Sequence, residues 1–187
     1  MIAHSRPAFL PGFLRITGGT LADYARLARF HYLAGRPATV AAVVAARFFP
    51  DDNTPERTVG VAVLSWPSAL NQSRHQVFDI KRLRFGERLR WVNANLRTVS
   101  RVIVHPQFRS LGLSTQLIAA VIVRCDTPFV ESVARMGYAH PLFDHAGFAR
   151  HTPADPHRPI YYWRPTLAPS PGKASPPTRS KIPDAGA

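Results

Sequence analysis

A single cysteine, Cys125, is all the thiol this chain possesses. One thiol excludes an internal disulfide and any zinc or iron–sulfur site built from several cysteines. Lysine is nearly as scarce: of 24 basic residues, only Lys81, Lys173 and Lys181 are lysines, and the other 21 are arginines. Acidic residues number 11, which leaves a formal net charge of +13. Such a charge draws polyanions, whether nucleic acid, nucleotide phosphates or an anionic membrane. Long apolar runs are also missing, and nothing approaches the roughly 18 consecutive residues that a bilayer span needs. Pro7 and Pro11 interrupt the N-terminal stretch where a secretory leader requires an unbroken apolar region. A cytoplasmic protein without membrane contact is the expectation.

What is present suits one globular domain. Of 187 residues, 45% are hydrophobic and 10% aromatic, enough to bury a core. Residues 1–12 read as an N-terminal extension and residues 13–164 as the domain. Residues 165–187 carry six prolines among Ser, Gly and Ala and read as a disordered tail. That tail holds three basic residues and one acidic, so the positive charge belongs to the domain.

The stretch from Thr98 to Val123 organises the rest. Val99, Ile103 and Val104 form a β-branched strand, stopped by Pro106. Leu113, Leu117, Ile118, Val121 and Ile122 then recur at helical spacing. The turn between them carries Arg109, Ser110, Leu111 and Gly112, with Ser114 just inside the helix. Free N–H groups at a helix start, added to the helix dipole, suit a phosphate or pyrophosphate. Gly112 allows close backbone approach, and Arg109 can fork onto phosphate oxygens. No lysine is available for a Gly-Lys-Ser/Thr phosphate loop, and one glycine is too few for the dinucleotide fingerprint.

Before this stretch, Phe13–Ile16 reads as a strand, Thr20 as a helix cap, and 21–33 as a helix stopped by Gly35 and closed by His31 and Tyr32. Thr39–Phe49 and Thr58–Trp66 form a hairpin around a turn containing Asp51 and Asp52, which reads as turn chemistry and not as a metal site. Residues 67–96 are the least regular part. After the organising stretch, Phe129–Val133 reads as a strand parallel to the one before it. His140–Phe148 suggests a short helix in which Asp144 and His145 are exposed, and Pro159–Trp163 a last strand whose exposed aromatics permit a homodimer.

Arg109-Ser110-Leu111-Gly112-Leu113-Ser114, preceded by Val104-His105-Pro106, resembles the acyl-CoA pyrophosphate loop of the GNAT acetyltransferase superfamily. Within it, Phe30-His31-Tyr32, Arg97-Thr98-Val99-Ser100-Arg101 and Gly137-Tyr138-Ala139-His140-Pro141-Leu142-Phe143 resemble acetyltransferase-like domains associated with, or fused to, ABC-type ATPases. No Walker motif occurs here, so an ATPase would be a separate protein. The resemblance implies an α+β fold in three α/β/α layers. Its central sheet has six or seven mostly antiparallel strands, with the fourth and fifth parallel and splayed apart. It implies acetyl-CoA as acyl donor, held by Ile103, Val104, Arg109, Ser110, Leu111, Gly112, Leu113, Ser114 and Phe143. Phe143 stands where the family commonly places an acidic Tyr, and the fourth strand lacks a Glu. Glu131, Ser100 and Tyr138 are therefore the candidate catalytic groups; Arg101 is the expected partner of Glu131, which is either a general base or one half of a structural ion pair. Arg101, His140, His31 and Tyr32 are candidate acceptor-binding residues.

Eight basic side chains between Arg74 and Arg101 meet only Asp79 and Glu87, with Phe78, Phe85 and Trp91 among them. Such a segment is either a nucleic-acid contact or a solvated connection over packed aromatics. Three function classes follow: an acyl-CoA-dependent N-acyltransferase acting on a small-molecule, protein or nucleic-acid amine; a nucleobase-modifying relative, as in phage Mom-type DNA modification proteins; and a non-catalytic binding module.

Overall fold

The computed structural model describes residues 12–32, 35–51 and 53–166, so the expected extension and tail fall almost wholly outside the described residues. Thr20 caps the first helix as expected. Asp23 N–H donates to Thr20 Oγ1 at 3.3 Å, and Thr20 N–H donates to Asp23 Oδ2 at 2.9 Å. The strands are β1 (Phe13–Gly18), β2 (Ala42–Phe49), β3 (Arg57–Ser65), β4 (Leu96–Val104), β5 (Phe129–Ala134), β6 (Ala149–His151) and β7 (Ile160–Pro165). The helices are α1 (Leu21–Leu27), α2 (Gln72–Val77), α3 (Phe85–Asn95), α4 (Leu113–Ile122) and α5 (Leu142–His145).

The seven strands form one sheet in the order β1-β2-β3-β4-β5-β7-β6. Every neighbouring pair is antiparallel except β4 and β5. Strand alternation sorts the side chains into two layers. Ala62, Leu64, Val99, Val130 and Tyr162 face α4 and α5, where Leu117, Ile118 and Val121 are buried. On the opposite face Val61, Val63 and Ile103 pack under Tyr24 and Leu27 of α1. Beside them, Leu96, Phe129 and Tyr161 lie under Phe78, Ile80 and Val92 of the α2–α3 segment. The expected α/β/α layering and the parallel β4/β5 pair are both present.

The segment between β3 and β4 departs from expectation. It holds two helices, and α3 runs into β4 with no loop, Leu96 N–H donating to Val92 O. Its aromatics divide: Phe78 is buried against Trp91, Phe129 and Trp163 at ring-centroid distances of 5.2, 5.3 and 5.5 Å, whereas Phe85 is exposed. The first helix is shorter than its periodicity suggested. It ends at Leu27, followed by a 3-10 turn to Phe30, and His31 is already extended. The expected exposed last strand is also corrected. β7 lies between β5 and β6, with Tyr161 and Tyr162 buried, so it offers no exposed aromatic strand for a homodimer.

Two irregularities in β4 shape the centre of the sheet. Arg101 pairs with Val63 and Val99 with Leu64, so Ser100 is an extra residue that bulges the strand. On its other side β4 pairs with β5 only from Leu96 to Thr98, opposite Phe129 to Glu131. Ser132 Oγ then reaches across to donate to Val99 O at 3.0 Å, and beyond it the two strands part.

Candidate acyl-donor site

The turn that leaves β4 is built as the sequence suggested. A 3-10 turn (Pro106–Phe108) buries Phe108 against Phe48, and Gly112 caps α4. Ser110 (φ 66°) and Gly112 (φ 71°) both adopt the left-handed conformation, on either side of Leu111. Alternation of this kind curls successive N–H groups around a common point, a concavity that suits anions. Among the described residues, the N–H groups from Ser110 to Thr115 have no acceptor, and Arg109, Ser110 and Gly112 are exposed. No side chain seals the turn. Leu113 is buried beneath it and Ser114 half-buried, while Arg109 Nε reaches back to Val104 O at 3.4 Å.

That contact agrees with the strand register. His105 N–H donates to Val59 O at 2.8 Å, so alternation turns the N–H and C=O of Val104 and Val102 away from β3 and toward the gap beside β5. Ile103, between them, points its side chain into the α1 layer. The gap is thus edged by main-chain groups of β4 and opens toward the N–H-rich turn.

Glu131 sits where the strands last pair, and its surroundings correct the expectation for it. Its partner is Arg74 of α2 and not Arg101. Arg74 Nε donates to Oε2 at 2.7 Å and Nη2 to Oε1 at 2.5 Å. Thr98 Oγ1 donates to Oε1 at 2.7 Å, and Tyr161 OH to Oε2 at 2.8 Å. Glu131 is 1% exposed and Arg74 0%. A carboxylate enclosed by four donors and shut from solvent suits the structural ion pair better than a general base, with Arg74 in the place expected for Arg101. Burial acts to lower the Arg74 pKa, but the hydrogen bonds and charge of Glu131 outweigh it and hold it above the ordinary value. Arg101 instead donates Nη1 to Ser100 O at 2.8 Å; its Nε is enclosed without a partner among the described residues.

The remaining candidates are dispersed. Ser65 Oγ donates its one proton to Thr39 O at 2.6 Å, so in the 2.7 Å Ser65–Ser100 contact Ser100 is the donor. Tyr138 lies in the turn after β5, exposed, its hydroxyl 3.3 Å from Arg158 O. His140 is exposed ahead of α5, and His31 stacks on exposed Tyr32 at 4.6 Å. Ser100 lies on β4 itself with its hydroxyl turned to Ser65 of β3, and among the described residues no hydrogen bond joins Tyr138 or His140 to the edges of the gap. Phe143 is buried between Phe148 and Tyr162, at 5.2 and 5.3 Å between ring centroids.

Asp144 is not the exposed residue expected. It is half-buried and accepts the Tyr162 hydroxyl at 3.0 Å. The phenol nearest Phe143 is therefore already committed, and its pKa is pushed up to about 12, by burial first and then by the Asp144 hydrogen bond. Sequence reasoning missed Arg74, Thr98 and Tyr161 around Glu131. The only signal was a lone Glu in an apolar strand, which demands a cation without saying which. Asp51, in the β2–β3 turn, accepts the N–H groups of Asn53 and Thr54 at 2.9 and 2.7 Å, as turn chemistry requires.

No protein-family model matches the sequence, and no curated protein is similar to it. Solved structures do resemble it. Ard1 from Thermoplasma volcanium superposes with a TM-score of 0.52 at 14% identity, over 83% of this chain and 99% of that one. The GNAT family N-acetyltransferase YhbS from Escherichia coli, in complex with CoA, gives 0.52 at 13% identity over 88% and 86%. NAA60 from Arabidopsis thaliana, in complex with acetyl-CoA, gives 0.50 at 15% identity over 80% and 96%. At these identities the likeness is one of fold: a seven-stranded, mostly antiparallel sheet with a parallel β4/β5 pair, as in GNAT N-acetyltransferases.

Proposed function

We propose that this protein binds an acyl-CoA, acetyl-CoA foremost, and transfers its acyl group to an amine. The observation that carries the reading is the β4/β5 gap: a three-residue parallel ladder that parts beyond Thr98 and Glu131, and at the end of β4 an open turn with six N–H groups unpaired among the described residues. The pyrophosphate would lie on the N–H groups of Ser110 to Thr115 at the positive end of α4, with Arg109 beside it. The pantetheine arm would run along the main chain of Val104 and Val102 and past Phe143. A main-chain N–H directed into the gap can hydrogen-bond the thioester oxygen as charge develops there. YhbS and NAA60, with CoA and acetyl-CoA bound, support the donor by likeness of fold.

Amine attack on the thioester carbon forms the C–N bond and releases the CoA thiolate. The ammonium proton passes to water, because the Glu131 carboxylate, where the gap begins, is enclosed by four donors and shut from solvent. Solvent likewise protonates the thiolate, since Phe143 has no hydroxyl and that of Tyr162 is bound to Asp144. Rate enhancement then comes from proximity and from the main-chain dipoles.

Isothermal titration calorimetry with acetyl-CoA tests the reading. Wild type binds, and Arg109→Ala with Gly112→Asp lowers affinity at least 100-fold while the circular dichroism spectrum is kept. Unchanged affinity in that variant removes the proposal. Release of free thiol with a panel of amines then reports transfer. The lack of a positioned acid or base favours one second reading, a CoA-binding module without turnover; binding with no thiol release selects it. Association with a separate ABC-type ATPase and a cytoplasmic location are parts of the same proposal, supported by the Phe30–Tyr32, Arg97–Arg101 and Gly137–Phe143 resemblances and by the absence, among the described residues, of any helix long and apolar enough to cross a membrane.

A further inference from the structure

The two-helix segment between β3 and β4 presents a charged surface that the acyl-donor site does not use. Of the eight basic side chains from Arg74 to Arg101, the fold itself employs three. Arg74 is buried on Glu131. Arg97 donates to Asn93 O, Leu96 O and Asp126, with its guanidinium 3.7 Å from the Trp66 ring centroid. Arg101 lies on the inner strand β4. The other five, Lys81, Arg82, Arg84, Arg88 and Arg90, gather around the first half of α3. Four are exposed and Arg88 is half-buried. None forms an ion pair among the described residues. Glu87, in the first turn of α3, accepts the Arg84 main-chain N–H at 3.1 Å.

Two further observations show that this surface is not an ordinary solvated helix face. Lys81, Arg82 and Arg84 immediately precede α3, where the helix dipole already concentrates positive charge and where acids are normally favoured. Local charge placement that opposes stability is the mark of a surface kept for another purpose. Two of these cations act on His75 of α2: burial first, then the charges of Arg88, of buried Arg74 and of Lys81, hold its pKa below the usual imidazole value. At the start of α3, Phe85 is 56% exposed, and the Arg88 guanidinium lies 6.0 Å from its ring centroid. More than half of the ring is left open to solvent among cations.

We propose that this surface, which wraps around the start of α3, binds single-stranded nucleic acid, with phosphates on Lys81, Arg82, Arg84, Arg88 and Arg90 and an unstacked base on Phe85. Unpaired guanidinium groups supply the sequence-independent attraction to a phosphate chain. An exposed aromatic supplies a stacking platform that only an unpaired base reaches, which selects a single strand over a duplex. The surface is defined without reference to the acyl donor, so it stands or fails separately from the acyl-transfer reading.

Fluorescence anisotropy with a labelled mixed-sequence DNA single strand and its duplex, without acyl donor, tests the surface. The single strand binds at low salt, and log K falls against log salt with a slope of about −3.5 for five phosphate contacts. Arg82→Gln, Arg84→Gln and Arg90→Gln together reduce that slope by about 2. Equal charge removal at exposed Arg29, Arg57 and Arg135 leaves it unchanged. Phe85→Ala weakens the single-strand complex about tenfold and leaves the slope in place. No binding at low salt overturns the proposal. So does binding weakened equally by both triple variants, or a duplex preference insensitive to Phe85→Ala. Attachment to phosphatidylserine vesicles with no oligonucleotide binding overturns it as well.

Discussion

Arg74 and Glu131 meet side-on in the interior, two parallel hydrogen bonds of 2.7 and 2.5 Å joining a helix of the β3–β4 insertion to the last residue of β5 that pairs with β4. Thr98 of β4 and Tyr161 of β7 bind the same carboxylate. Four elements thus converge at the point where the sheet begins to open.

Breaking that junction from one side is expected to be costly. Arg74→Ala strands a buried carboxylate and lowers unfolding stability by about 3–5 kcal/mol, measured by urea denaturation. Arg74→Met with Glu131→Leu removes both charges and recovers most of the loss, as other buried ion pairs do when replaced by apolar groups. Glu131→Gln provides the catalytic check. Acyl transfer per folded molecule stays within a few-fold of wild type, and a hundredfold fall with an altered pH profile would restore Glu131 as the base.

Much of the frame was legible because the β2–β3 hairpin, β4, α4 and β5 each carry unmixed signals: β-branched runs for the strands and a clean apolar stripe from Leu113 to Ile122. The insertion was not. α2 is a six-residue helix, too short for periodicity to register. α3 offers only Leu89, Trp91 and Val92 as inward apolar positions among arginines and asparagines, so its composition resembles a connection. The Arg109–Gly112 turn was readable because its chemistry is local. The identity of Glu131's partner was not, because Arg74 lies 57 residues away in sequence and only the tertiary fold joins them.

The two adjacent tyrosines of β7 face opposite layers and predict an alkaline transition. Burial foremost, with the charge and hydrogen bond of Glu131, pushes the Tyr161 phenol far above its ordinary value. Tyr162 rises to about 12. Both shifts favour the neutral phenol in the folded state. Their stabilisation is therefore complete below the unfolded value of about 10 and is lost as pH rises through and beyond it. Tyr161 and Tyr162 should contribute no phenolate absorbance in the native protein until it unfolds, and Tyr162→Phe should flatten the fall in stability above pH ~10. Titration of these two phenols before loss of secondary structure would contradict the burial described.

Asp23 gives the acidic counterpart. Burial acts to raise its pKa, but hydrogen bonds from Thr58 (2.7 Å) and Thr20 (2.9 Å) and the charge of Arg47 outweigh it and hold the carboxyl below the usual value. A depressed carboxyl contributes stability above its unfolded pKa of about 4, lost as pH falls through the folded value. Asp23→Asn should cost about 1–2 kcal/mol near neutrality, the scale of a lost helix cap, and the gap to wild type should close below pH ~4. A gap independent of pH would show that packing, and not charge, is what Asn disturbs.

Ser110 and Gly112 share the left-handed conformation but stand on opposite sides of a cost. At Ser110 a side chain is held where L-residues are strained, so Ser110→Gly should raise unfolding stability by up to about 1 kcal/mol. At Gly112 an added Cβ would meet nothing nearer than Gln116 Nε2 at 4.0 Å, so any penalty there comes from the backbone alone and not from a clash. Asn tolerates this conformation and a β-branched residue does not. Gly112→Asn should therefore keep both the fold and acetyl-CoA binding. Gly112→Val should rotate the peptide out of place, lower stability by about 1–2 kcal/mol and reduce acetyl-CoA affinity at least tenfold, as calorimetry on the two variants will read. Equal affinities for the two would mean that the curl of N–H groups after β4 is not what holds the donor.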